Sequence, residues 1–337
     1  MDSHQGLTGL ANLGNSCYMN SALQCLSNTK LLRNYMLGDN VLEELNTNKQ
    51  ALITKDWKNL LTEIWNENCT ISPNTLHKAL RMYFLSENIE NFTDFRQNDS
   101  HEFITLFIDI MHMSLAKEVN ITISGNVVND LDKMALAAMK SWRQYFKNSY
   151  SEIVNIFYGQ FVSTIKSLDN EVISAVYDPF PSLSVEIPDN SENINLYSCL
   201  DHFSSDEILD GENKYKCDKT NTYKSAKKKI QIWTCPKILI IHLKRFSNNF
   251  TKNNKVINFP IDNLNLSKYS IGYDKYKSNY RLIGVVNHIG SYLGGHYYSY
   301  CRNKENWFEY NDEKVVQINK LNVVNQNAYC LFYEKIE

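Results

Sequence analysis

The sequence predicts an α+β protein, and three observations predict it. Up to about residue 150 the apolar residues recur at helical spacing. Beyond about Ile153 the chain breaks into short segments rich in Val, Ile, Tyr and Phe, with Pro, Gly and Asn between them. The two textures are segregated, which argues against alternating βαβ units. The glycine fingerprints of dinucleotide and P-loop sites are absent.

The helices come first. Met19, Ala22, Leu23 and Leu26 stand at i, i+3, i+4 and i+7 and mark one helical face. A second stripe, Phe103, Leu106, Phe107, Ile110 and Met111, predicts a helix from about Ser100. Asp99 stands before it and Glu102 three residues on, the spacing of a capping box. Leu131 to Phe146 is a third, weaker candidate. The expected strands are Phe161 to Ile165, Ser182 to Ile187, Lys228 to Trp233, Ile238 to Phe246, Tyr280 to His288, His296 to Arg302 and Trp307 to Tyr310. Ile238-Leu239-Ile240-Ile241 is apolar throughout, as in a central strand buried on both faces.

With 337 residues the chain can form one large domain or two ordinary ones, and it shows no internal repeat and no obvious linker. Lys and Arg number 35 against 37 Asp and Glu, a balance that points to neither nucleic acid nor a membrane surface as partner. No apolar run is long enough to span a bilayer. Met1-Asp2-Ser3-His4-Gln5 does not read as a secretory signal. The eight cysteines are scattered, so reduced thiols and a cytoplasmic or nuclear location are expected.

Two stretches carry chemistry. In Gly6-Leu7-Thr8-Gly9-Leu10-Ala11-Asn12-Leu13-Gly14-Asn15-Ser16-Cys17-Tyr18-Met19-Asn20, a Gly- and Asn-rich loop runs directly into a helix. Asn15 or Ser16 can cap it, and Cys17 then falls in the first turn. There the free N–H groups and the helix dipole favour a thiolate, the nucleophilic form. Asn12 stands just upstream, where its amide can meet an oxyanion. A cysteine on its own is more often a core residue, as Cys25 is read here; the loop and the second stretch separate Cys17 from that reading. That second stretch is Gly290-Ser291-Tyr292-Leu293-Gly294-Gly295-His296-Tyr297-Tyr298-Ser299-Tyr300, followed by Trp307-Phe308-Glu309-Tyr310-Asn311-Asp312. A hairpin turning at Asn303-Lys304 would set His296 opposite Asn311, Tyr298 opposite Glu309 and Tyr300 opposite Trp307. The Asn311 amide would then orient the imidazole in a Cys-His-Asn triad. Asp312 would turn to the other face unless the strand ends there. His101 is the rival base; His242 and His288 read as structural.

These two stretches resemble the cysteine and histidine boxes of the ubiquitin-specific protease family. Between them, Gln97-Asn98-Asp99-Ser100-His101-Glu102-Phe103 resembles the family's acidic helix start. Asn155-Ile156-Phe157-Tyr158-Gly159-Gln160-Phe161 resembles the strand that opens its fingers, and Leu243-Lys244-Arg245-Phe246 its central strand. The resemblance implies a papain-like cysteine protease fold over 1–337. A helical thumb would take about 1–150, and β-rich fingers and palm about 151–337. It implies ubiquitin and ubiquitinated proteins as partners, cut after the last glycine of ubiquitin. By position Cys17 matches the nucleophile, His296 the base, Asn311 the third member, Asn12 the oxyanion residue and Asp312 a second acid. Asp99 and Glu102 match acids that meet arginine in the ubiquitin tail. Ile289 to Gly294 matches a mobile loop beside that tail, which makes Gly294, Gly295 and Tyr297 candidate contacts. One departure stands out. Many members carry two CxxC pairs for zinc; here Cys217-Asp218-Lys219-Thr220 keeps one cysteine and Ile165 to Asp169 none. Zinc needs four ligands, so no metal and no cofactor are expected. The competing readings are an inactive ubiquitin-binding pseudoenzyme and a protease for a ubiquitin-like modifier.

Overall fold

The computed structural model describes residues 5–94, 96–189, 194–217, 221–247, 249–291 and 294–336. The helices are α1 (Cys17–Asn28), α2 (Lys30–Met36), α3 (Val41–Glu44), α4 (Lys49–Asn66), α5 (Asn74–Ser86), α6 (Ser100–Leu115), α7 (Asp130–Phe146), α8 (Glu152–Phe157) and α9 (Leu196–Phe203). The three helices expected from periodicity are α1, α6 and α7. Short strands β1 (Gly9–Leu10) and β2 (Thr70–Ile71) pair in parallel and tie the N-terminal loop to the helical half.

The second half is built on strands: β3 (Gly159–Lys166), β4 (Val172–Phe180), β5 (Leu183–Glu186), β6 (Glu207–Leu209), β7 (Tyr215–Cys217), β8 (Thr222–Lys224), β9 (Ala226–Thr234), β10 (Ile238–Lys244), β11 (Leu264–Asn265), β12 (Asn279–Ser291), β13 (Gly294–Asn303), β14 (Asn306–Asn311), β15 (Lys314–Ile318) and β16 (Ala328–Lys335). The large sheet runs β15-β14-β13-β12-β16-β10-β5, and a second sheet runs β4-β3-β9-β6. One expected element differs. The stretch from Asn155 to Phe161 does not open as a strand, because Asn155 to Phe157 close α8 and β3 begins at Gly159. Ile153, Val154, Ile156 and Phe157 are all buried, a pattern that a short helix and a strand share at this length.

β10 shows how the sheet divides the interior. Its alternate side chains enter two different cores. Ile238 and Ile240 join Leu23, Leu26, Trp57, Phe103 and Phe107 beneath the helices. Leu239, Ile241 and Leu243 join Leu200, Leu282 and Leu331 on the far face. Every residue of α1 is buried, its polar ones included. Their amide nitrogens find partners: Gln24 Nε2 donates to the Thr8 carbonyl at 2.8 Å, and Asn28 Nδ2 to the Gln24 carbonyl at 3.0 Å, whereas the side-chain oxygens of Asn20, Gln24 and Asn28 have none among the described residues. The apolar stripe read from the sequence is therefore only one side of a helix enclosed all round.

The hairpin of β13 and β14 turns at Lys304-Glu305, one residue later than the sequence predicts, which shifts the pairing register by two. Tyr300 faces Glu309 and Arg302 faces Trp307, with Lys304 in the left-handed region at the turn. The turn keeps two residues, as expected. The shift is by two, so side chains keep the faces assigned to them, since faces alternate with period two.

Candidate active site

The loop before α1 is shaped by Gly14 (φ 90°) and Asn15 (φ 54°), both in the left-handed region. Glycine enters it freely and asparagine more easily than most residues. This reversal makes Ser16 the cap and Cys17 the first residue of α1. Ser16 makes no side-chain cap bond. Its hydroxyl instead accepts from the Leu13 N–H at 2.8 Å, and its carbonyl accepts from Met19 and Asn20.

Asn12 is held at both ends. Its Oδ1 accepts from Gly14 N–H at 3.0 Å and Ser16 N–H at 3.3 Å. Its Nδ2 donates to Asp312 Oδ2 at 2.8 Å, and its backbone N–H to Glu313 Oε1 at 3.0 Å. An amide nitrogen carries two hydrogens, so the bond to Asp312 leaves one for a developing oxyanion.

β13 brings His296 to this loop. Its Nε2 lies 2.7 Å from Asn311 Oδ1, which leaves Nδ1 for exchange with the thiol. The two residues are diagonal neighbours on one face, because Asn311 lies beyond the last cross-strand pair, Ser299 with Tyr310. The hydrogen bond with Cys17 is the largest cause raising the imidazolium, to about 9. Asn311 and the charge of Asp312 act in the same direction, against the opposing effect of burial. Asp312 takes up neither face of β14, since the strand ends at Asn311 and Asp312 begins the turn with φ 49°. From there its Oδ1 accepts from Asn20 Nδ2 at 2.8 Å, and its carbonyl accepts from Leu10 N–H at 2.9 Å. Asp312 thus binds the Asn12 loop and α1 together.

The expected tail-binding residues are not all alike. Asp99 caps α6: its Oδ1 accepts from His101 N–H at 2.7 Å and Glu102 N–H at 3.0 Å, and its Oδ2 accepts from the Tyr329 hydroxyl. Both oxygens are therefore committed inside the protein. The reciprocal half of a capping box is not made, because Glu102 turns to Asn91, a contact that opposes the upward push of burial on its carboxyl. Asp99 and Glu102 line a cleft of about 550 Å³ with Glu90, Asp94, Arg96 and Gln97. Across it, Gln97 and Gly295 exchange two hydrogen bonds of 2.6 Å through the Gln97 amide and the Gly295 backbone. Gly294 lies beside the same amide. Gly295 has no room for a Cβ, which would fall 2.3 Å from the Ile289 carbonyl and 2.4 Å from the His288 ring. The Tyr297 side chain faces inward, not into the cleft, packed between the His288 and Tyr329 rings. Ile289 to Ser291 belong to β12 and Gly294 opens β13, so that stretch is largely hairpin; Tyr292 and Leu293 lie outside the described residues.

The rival base, His101, stacks on His242 with ring centres 4.0 Å apart and bonds Ser182. Burial holds its imidazole down. Three residues given no role from the sequence belong to the site: Asn20, Gln97 and Glu313. Asn20 and Gln97 stand inside the stretches already singled out, and Glu313 adjoins Asp312, but their roles depend on contacts across the fold. Among the described residues no three His, Cys, Asp or Glu side chains form a metal-holding group. Cys217 is buried, while Asp218 to Thr220 lie outside the described residues. No described helix is long and apolar enough to cross a membrane.

Compared with known proteins, residues 8–333 match the family described as ubiquitin carboxyl-terminal hydrolase. The chain is 34% identical over 344 residues to ubiquitin carboxyl-terminal hydrolase 2 of Homo sapiens, covering 98% of this chain and 56% of that protein. It is 33% identical over 342 residues to ubiquitin carboxyl-terminal hydrolase Usp2 of Drosophila melanogaster, covering 99% and 35%. The chain thus spans between about a third and a little over half of these relatives. In structure it resembles a chain of the SAGA Ubp8/Sgf11/Sus1/Sgf73 DUB module bound to ubiquitin aldehyde. The TM-score is 0.74 at 25% identity, over 100% of this chain and 71% of that one. The α+β, papain-like fold class expected from the sequence is the one found.

Proposed function

The chain belongs to the ubiquitin carboxyl-terminal hydrolase family, and from that premise we propose that it is a thiol hydrolase cutting the bond after the C-terminal glycine of ubiquitin. Cys17 attacks the scissile carbonyl as thiolate. The oxyanion that forms is met by the Asn12 amide and the N–H groups at the start of α1. His296, as imidazolium, gives its Nδ1 proton to the departing amine, and a thioester to Cys17 remains. His296, now neutral, takes a proton from water, and the resulting hydroxide attack releases the ubiquitin carboxylate and the thiol. Asn311 holds the imidazole through Nε2 and carries no charge, so its part is geometric.

The observation that carries this reading is the His296 imidazole, shared between Cys17 and Asn311 Oδ1 at 2.7 Å. The acidic cleft bounded by Glu90, Asp94, Asp99 and Glu102 supports a basic, extended peptide as the entering segment. Glu90 and Glu102 are its more available acids, because Asp99 is committed to the cap and to Tyr329 and Asp94 to Arg96. The test is hydrolysis of a ubiquitin–fluorophore conjugate, run beside conjugates of ubiquitin-like modifiers. Turnover of ubiquitin alone, lost in Cys17→Ala, is the expected result. Binding without turnover would mark a pseudoenzyme, and preference for another modifier would reassign the substrate.

A further inference from the structure

A second concavity, of about 300 Å³, lies at the opposite end of α1 from Cys17. Lys30 and Arg33 of α2 wall it, with Arg281 of β12, Arg302 of β13 and Glu334 of β16; the turn at Lys304 and Glu305 closes it. Its carboxylates already have partners. Glu334 lies 4.0 Å from Arg281, and Glu305 lies 2.5 Å from Arg302, which also approaches Asp262 at 3.8 Å.

Arg33 is different. Among the described residues it has no carboxylate within ion-pair distance, and its guanidinium sits over the Trp65 ring, 3.7 Å from the centre. Trp65 is itself pinned, its Nε1 donating to Ser27 Oγ at 2.8 Å. Burial pushes the Arg33 guanidinium down, with Glu334 only partly opposing that effect. A desolvated cation without a bonded anion is unfavourable. Stacking engages the face of a guanidinium and leaves its in-plane N–H fork for a planar or tetrahedral oxyanion. Arg302 adds a buried Nη1 that makes no hydrogen bond among the described residues, with Asp262 3.8 Å away. Lys30 stands exposed at the rim.

We infer that this concavity binds a phosphate-type dianion, free or carried on a small molecule, with Arg33 as the principal anchor and Arg302 and Lys30 completing the cradle. The volume lies at the small end of ligand pockets, about 300–1,000 Å³, which suits a phosphate and a few attached atoms and not a polypeptide. The site is separate from the proposed chemistry: the 12 residues of α1 put roughly 16 Å between Cys17 and Asn28 at 1.5 Å per residue.

Calorimetric titration of the whole chain tests this, with inorganic phosphate and with glycerol 2-phosphate, each against sodium chloride at matched ionic strength. Saturable binding is expected. Arg33→Gln should weaken it by about tenfold or more, the loss of a charge-assisted contact. Lys30→Gln, at an exposed position where folding is not at stake, should weaken it severalfold. Both variants should hydrolyse ubiquitin conjugates as the parent does. Equal affinity for the two probes would make the free ion the ligand, and tighter binding of the ester would make it an organic phosphate. Heat that follows ionic strength alone, or wild-type affinity in both variants, overturns the inference.

Discussion

Cys17→Ala is expected to abolish turnover and keep ubiquitin binding, and it should also change how His296 titrates. Cys17 is the largest cause holding that imidazolium up near 9. Without it, the His296 resonance followed by NMR should titrate clearly lower, toward the ordinary histidine value of about 6.5. An unmoved titration would separate the two residues. The sign for the active protein follows. A raised pKa means the proton is bound through neutral pH and lost as pH rises through about 9. The imidazolium is the proposed acid for the leaving amine, so kcat/KM should fall along an alkaline limb near pH 9, and Asn311→Ala should move that limb to lower pH. Asn311 and Asp312 divide the remaining work: Asn311 touches the imidazole, while Asp312 touches Asn12, Asn20 and Leu10. Asn311→Asp keeps an acceptor for Nε2 and should retain substantial activity. Asn12→Ala should lower kcat by about 10²–10³, the usual cost of one oxyanion donor, with little change in KM. If kcat stays at the wild-type value in Asn12→Ala but collapses in Asp312→Ala, the oxyanion role passes from the Asn12 side chain to the loop backbone that Asp312 holds.

At the scale of elements, two junctions are tight. β1 passes so close to the β14–β15 turn that a Cβ on Gly9 would stand 2.1 Å from the Glu313 carbonyl oxygen. Neither backbone can yield without moving Asn12, which the same turn holds through Glu313 and Asp312. Gly9→Ala is therefore expected to lower kcat by about 10²-fold, the effect of a misplacement near 1 Å, and KM for ubiquitin should change much less. A variant with parental kcat would show that the loop finds its geometry without this contact. The start of α6 is the second junction. Asp99→Ala removes its cap and should cost about 0.5–2 kcal/mol of stability by thermal or urea unfolding. Asp99→Asn keeps a capping acceptor and should lose much less. Raised KM in both variants would mark the charge itself as a ubiquitin contact, whereas raised KM only with lost stability would mark a structural role.

Across the whole molecule, the large sheet couples the two cores, and β10 shares its side chains between them. Ile240→Ala should cost about 2–5 kcal/mol through transfer and cavity terms, read as a lower urea midpoint. A near-neutral result would mean the helical core can collapse around the gap. Metal analysis of the intact chain is expected to find no stoichiometric zinc, and a chelator should leave its melting temperature unchanged. One tightly held zinc per chain would place ligands at the fingertip that the cysteine pattern does not reveal. The α+β class, the helices α1, α6 and α7 and the doubly buried β10 were legible in the chain because each depends on local periodicity. So was the order of the cysteine and histidine boxes, since residue type and spacing are local properties as well. β16 went unread although it lies in the middle of the large sheet between β12 and β10. Its Tyr-Cys-Leu-Phe-Tyr run serves two cores at once, and its place depends on pairings with strands distant in sequence. The hairpin register was misjudged by two residues, because a turn's position depends on backbone conformation at Lys304 that composition alone does not reveal. Residue types and their spacing therefore determined which side chains could do chemistry and on which face of β13 and β14 they stand. Tertiary structure alone decided that Asp312 braces the Asn12 loop, that Asp99 is turned inward and that Arg33 lacks a carboxylate partner among the described residues. Each of those depends on charges and backbone groups brought together from far along the chain, at distances where a hydrogen bond or an ion pair is either made or missing.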